Sequence, residues 1–169
     1  LADFFTLEHF SIHSILYFII MINLFMNYFG QFDHAIDEEG ENKGIFLIYS
    51  HYPIFIGLIM VTVSMSFLVN PEAHHLFATS FFYAGIGLFQ ATVLSNGRFN
   101  KSYLKYDKIY YGLQATFFLI GLLLSLLFSD NPTIVIAIAT LMTLAMEIHF
   151  TYFYMTQTKK FSTPNWELF

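Results

Sequence analysis

The chain alternates long apolar runs with short polar breaks, and the pattern predicts five helices. The runs cover about residues 10–29, 45–69, 75–95, 109–128 and 133–157. Each is nearly free of charge and close to the roughly 20 residues a helix needs to cross a bilayer. Breaks fall where turn chemistry is strong: a loop from Gly30 to Gly44, Asn70-Pro71, Asn96-Gly97, and Ser129-Asp130-Asn131-Pro132. In the last of these, Asp130 is placed to cap the fifth helix and Pro132 to open it. Pro53 falls in the second turn of the second span and predicts a kink or the true helix start there. The expected fold is an all-α polytopic transmembrane bundle, with residues 1–158 as one membrane domain and 159–169 as a cytoplasmic tail.

Composition excludes the soluble alternative. Only 11% of residues are charged and 56% are apolar, against about 25% charged in a soluble domain. With no cysteine in the chain, disulfides and thiolate chemistry are ruled out. The net charge of −5 argues against a nucleic-acid partner. Phosphate loops, nucleophile elbows and zincin motifs are all lacking, so the sequence implies neither a catalytic residue nor a cofactor.

Charge placement predicts orientation. Five spans put all seven Lys and Arg (Lys43, Arg98, Lys101, Lys105, Lys108, Lys159, Lys160) on one side. Asp3, Glu8, Glu72 and Asp130 lie opposite, without a basic residue. By the positive-inside rule the basic side is cytoplasmic, the start of the chain outside and the C-terminus inside. An outside start without a leader is easiest to explain if a further helix lies upstream.

The candidate chemistry lies within the spans. Glu147 is the one acid deep in a span, where an ionisable group costs several kcal/mol unless paired or hydrated. Thr140, Thr143, Glu147, Thr151 and Tyr154 follow helical spacing and form a polar stripe that can line an ion or proton path. The bland alternative is that Glu147 hydrogen-bonds a neighbouring helix as packing glue. His51 and His149 form the one cross-helix pair at matched depth that could hold a metal or haem. The alternative for His51 is a bond to a backbone carbonyl near the Pro53 kink. Asn23 and Asn27 share a face, His9 and His13 are one turn apart, and Ser80, Ala84, Gly87 and Ala91 make a small-residue stripe. Such stripes let helix backbones approach in lipid. The basic, tyrosine-rich run from Arg98 to Tyr111 suits the headgroup region.

The stretch from Met26 to Gly57 carries the most distinctive pattern. Asn27-Tyr28-Phe29 is followed by Asp33-His34, then by Tyr49-Ser50-His51-Tyr52-Pro53-Ile54-Phe55-Ile56-Gly57. This resembles the bacterial low-temperature-requirement A (LtrA) family of multi-pass membrane proteins. That family has a Tyr-Phe-Asp-His helix end and a Tyr-x-His-x-Pro-x-x-x-Gly helix start in its C-terminal half. Gly85 and Gly87 in the next span also fit. The resemblance covers about residues 10–95, and the last two spans fit as generic apolar helices. It implies the C-terminal half of a larger bacterial cytoplasmic-membrane protein or a reduced relative, and the family name links it to low-temperature growth and stress.

The resulting expectation is a protein that moves or senses a small solute or ion. Its candidate residues are Glu147, His149, Thr143 and Thr151 on the last span, and His51, Tyr49, Pro53 and Gly57 on the kinked second span. Asp33 and His34 stand at the cytoplasmic rim. Discontinuous helices at Pro or Gly often frame such sites. The competing expectations are a metal or haem enzyme using His51 and His149, and a structural subunit packing in a homo-oligomer or against partner membrane subunits.

Overall fold

The computed structural model describes residues 12–37 and 44–162. The helices are α1 (Ile12–Phe29), α2 (Gly44–Val69), α3 (His75–Ser95), α4 (Lys108–Leu127) and α5 (Pro132–Ser162). All five are long and apolar enough to cross a membrane. In hydrocarbon, backbone polar groups must be satisfied within the segment, which is why these runs are helical. Among the described residues there is no strand, only an isolated antiparallel bridge between Ile36 and Asn100.

The helices pack in the order α2–α3–α4–α5–α1, with α2 against α3 the most extensive pair. Large apolar side chains cover the outside, among them Ile48, Phe55, Leu123, Leu127 and Leu141. The interior holds Ile20, Ile54, Phe82, Phe89, Ile136 and Met146 together with a series of buried Ser, Thr, Asn and Gln. Polar groups inside and apolar groups outside are what a lipid solvent selects.

Five local features differ from the sequence-based expectation. The first helix does not end at Phe29 but widens into a π-helical turn, Gly30–Ala35. The Phe150 ring of α5 packs directly on Gly30, where a Cβ would lie 2.3 Å from it. The cap of α5 is Asn131, whose Oδ1 accepts from Ile134 N at 3.2 Å, not Asp130; Pro132 is the first helical residue. The fifth helix runs past Gln157 to Ser162. In the small-residue stripe, Ser80, Ala84 and Ala91 face outward, while the close helix approach lies at Gly57 of α2 and Gly85 of α3. Pro53 is accommodated inside an unbroken α2.

At the basic end two connections lock together. Asp37 N donates to Phe99 O and Lys101 N to Ala35 O, both at 2.9 Å. Beneath them lies Gln31, fully buried, whose Nε2 donates to Asn100 Oδ1 at 2.5 Å. The Tyr106 hydroxyl donates to Gln31 Oε1, and Asn100 Nδ2 donates to Leu104 O at 2.9 Å. Burial pushes the Tyr106 phenol well above its ordinary pKa, so it stays a neutral donor. Replacing Gln31 with Leu strands Asn100 Oδ1 and removes the acceptor of the Tyr106 hydroxyl. Each buried group left unpaired costs about 1–3 kcal/mol, so Gln31→Leu should unfold at clearly lower temperature in detergent. Tyr106→Phe should lose less, and equal melting of Gln31→Leu and wild type would refute the lock.

Candidate functional site: a polar seam between the first and last helices

Two patterns read separately along the chain meet in space. The Asn23–Asn27 face of α1 lies against the Thr–Glu stripe of α5. Asn23 Nδ2 donates to Thr143 Oγ1 at 3.1 Å, and Thr143 Oγ1 donates onward to Thr140 O at 3.1 Å. Thr140 Oγ1 donates to Ile136 O at 2.8 Å. One turn further along α5, Thr151 Oγ1 donates to Glu147 Oε1 at 3.1 Å, and the Asn27 side chain lies beside the same carboxyl group. Glu147 Oε2 is buried with no hydrogen-bond partner. Asn23 and Asn27 are themselves buried.

The seam is covered toward the basic end. The Phe150 ring fills the notch at Gly30, and the His34 ring lies 5.9 Å from that of Tyr154. Asp33 and His34 are exposed at this rim, where Lys101 Nζ donates to His34 O at 2.9 Å.

His149 faces away from this seam. Its ring stacks on Tyr110 of α4, with centroids 4.7 Å apart, and its Nδ1 lies 3.3 Å from Gln114 Nε2. His51 turns toward α1: its Nε2 lies 2.9 Å from Tyr28 Oη, and its Nδ1 lies 2.7 Å from Leu47 O. A carbonyl can only accept, so Nδ1 carries the proton and Nε2 accepts from Tyr28. Both ring nitrogens of His51 are thus engaged, one of them with a backbone carbonyl beside the Pro53 region. His51 and His149 have no partner in common. Among the described residues no three His, Asp or Glu approach closely enough to hold a metal ion. His13 Nε2 lies 2.8 Å from Thr133 Oγ1, and His9 lies outside the described residues.

Tyr49 is exposed and its ring lies 6.0 Å from that of Tyr52, which fits an interfacial aromatic belt. Gly57 lies at the α2–α3 crossing, so its place is in packing and not beside the polar seam.

A family model described as bacterial low temperature requirement A protein (LtrA) matches residues 6–146. The chain belongs to the LtrA family. The match extends well past Ser95, so the fourth span and much of the fifth belong to the LtrA pattern too. Of the LtrA-like stretches noted in the sequence, Tyr28 from the first helix end and His51 from the second helix start bond each other at 2.9 Å. The matched region ends just before Glu147, so the case for Glu147 and His149 rests on the geometry of this chain. No curated protein and no solved structure matches the chain.

The sequence reading did not single out Gln31, Gln90 and Gln114, all three of them buried. The signal was present: each is an amide placed in or beside an apolar run, and a buried amide in a membrane bundle needs partners on another helix.

Proposed function

We propose that this LtrA-family membrane protein moves or senses a small cation, a proton in the simplest case, through the α1–α5 seam centred on Glu147. The observation behind this reading is the half-satisfied carboxylate. Oε1 accepts from Thr151, the Asn27 side chain lies beside the carboxyl, and Oε2 is buried with no hydrogen bond of its own. A purely structural acid would have both oxygens satisfied, because an unpaired buried acceptor is costly. A carboxylate with a spare oxygen is instead suited to binding and releasing a proton or small cation. Asn23, Asn27, Thr143 and Thr151 supply the neutral hydrogen-bonding groups along the same seam, and Asp33 and His34 are rim groups at the basic end. The test is flux in liposomes carrying the purified chain, with an imposed proton gradient and then sodium or potassium gradients. Flux above that of empty vesicles for one of these ions is expected; absence of flux for all of them would overturn transport.

The same reading places the basic end in the bacterial cytoplasm. Arg98, Lys101, Lys105, Lys108, Lys159 and Lys160 all lie at that end of the bundle, and cytoplasmic segments carry the excess of Lys and Arg. Because the chain has no cysteine, single cysteines report cleanly. Glu72→Cys should react with a membrane-impermeant maleimide on intact cells, and Lys105→Cys only after the membrane is permeabilised. Both positions are exposed, and the reverse pattern would invert the topology.

A further inference from the structure

On the side of α5 opposite the Glu147 seam, α3 and α4 each bring a glutamine amide to Met146 of α5. Gln114 of α4, with 0% exposure, donates from Nε2 to Met146 O at 3.2 Å. Gln90 of α3, with 5% exposure, directs its Nε2 at Met146 Sδ, 3.9 Å away. Met146 itself is 2% exposed. The orientation of the Gln114 amide is fixed by the Met146 carbonyl, which can only accept. Its Oε1 therefore points elsewhere, and it is buried with no partner; so is Gln90 Oε1.

Two buried amide carbonyls beside one residue, each without a donor, would be a large standing cost in a bundle interior. Neither can be relieved by the other, since both are acceptors. What each lacks is a donor hydrogen, which water supplies. Buried waters commonly fill this role, bonding two to four otherwise unsatisfied groups.

We propose that the meeting point of α3, α4 and α5 is a hydrated polar pocket, in which water donates to Gln90 Oε1 and Gln114 Oε1 against the Met146 side chain. The pocket continues a polar chain from the basic end. Tyr106 stacks on Tyr110 with ring centroids 4.0 Å apart. The amide of Gln114 lies 3.3 Å from Tyr110 Oη and 3.3 Å from His149 Nδ1. Water at the end of this chain extends its hydrogen bonding into the space beside Met146. The inference is independent of the role given to Glu147, which faces α1.

Met146 is its own reporter. Hydroxyl radicals made from water by pulsed X-rays oxidise thioether sulfur only where water is adjacent. In the purified full chain, Met65 (7% exposed) is a buried control and Met155 (64% exposed) an open one. Met146 should be oxidised about tenfold or more faster than Met65, approaching Met155, although it is the more buried of the first two. In the Gln90→Leu, Gln114→Leu double variant its rate should fall to that of Met65. Oxidation of wild-type Met146 no faster than Met65 overturns the proposal without reference to any variant. An unchanged Met146 rate in a double variant that keeps Met65 protected overturns it as well.

Discussion

Glu147→Ala is expected to reduce ion flux to the level of empty vesicles while the protein still purifies as a folded helical species. The carboxylate accepts from Thr151 and has the Asn27 side chain beside it, contacts worth about 1 kcal/mol each. Its second oxygen has no partner, so removing the group also removes an unsatisfied acceptor, and the two effects oppose. The stability change should therefore stay within about 2 kcal/mol, inside the ordinary range for single substitutions. Glu147→Gln separates charge from shape. It keeps an acceptor for Thr151 and fills the same space, but it cannot bind and release a proton. Flux should be lost in Gln as in Ala, with melting in detergent unchanged or slightly raised. Full flux in either variant would remove Glu147 from the path. Collapse of Ala combined with an active Gln variant would make the residue a packing group.

The fold was legible because lipid imposes a coarse code. A run with almost no charge must be a helix, and Asn-Pro or Asn-Gly must end it, so the starts and ends of α2 and α3 follow from single residues. The rim was not legible. Nothing in Gly30-Gln31-Phe32 announces a π-helical turn, and the Phe150 ring that packs on Gly30 comes from the far end of the chain. Asp130 and Asn131 are both good caps, and only the register of the turn selects the second. The site was half legible. Glu147 was found by its charge, but His149 was grouped with it although two helical positions turn through about 200°. The two therefore face α1 and α4. The same geometry separates Gly85, which faces α2, from Gly87, which faces Phe118 of α4. The outward turn of Ser80, Ala84 and Ala91 follows from that phase too: a stripe anchored on Gly87 points away from the face that Gly85 buries.

Gly85→Val should be the most destabilising single change in the bundle. A Cβ at Gly85 would lie 2.9 Å from Val61 N and 3.0 Å from Gly57 O, both backbone atoms of α2. At Gly57 it would lie 2.8 Å from Gly85 O and 2.9 Å from Phe89 N. Neither contact can be relieved by turning a side chain, so the helices must separate along the most extensive interface of the fold. Overpacking typically costs about 1–3 kcal/mol. Here each added group meets backbone atoms of the facing helix, and at Gly85 also Met60 Cβ at 2.9 Å, so Gly85→Val should lie at or beyond the top of that range, with Gly57→Ala close behind. Two controls make the reading specific. Gly87→Ala meets the far edge of the Phe118 ring at 2.9 Å, a side chain that can swing, and should cost less. Gly112→Ala, with nothing within 4 Å, should gain about 0.5–1 kcal/mol from helix propensity. Thermal unfolding of the four variants in one detergent gives the order directly. If Gly85→Val melts with Gly112→Ala, the α2–α3 crossing is not the close backbone contact described here. The order also bears on mechanism. A crossing that tolerates no methyl group fixes α2 on α3 as one unit.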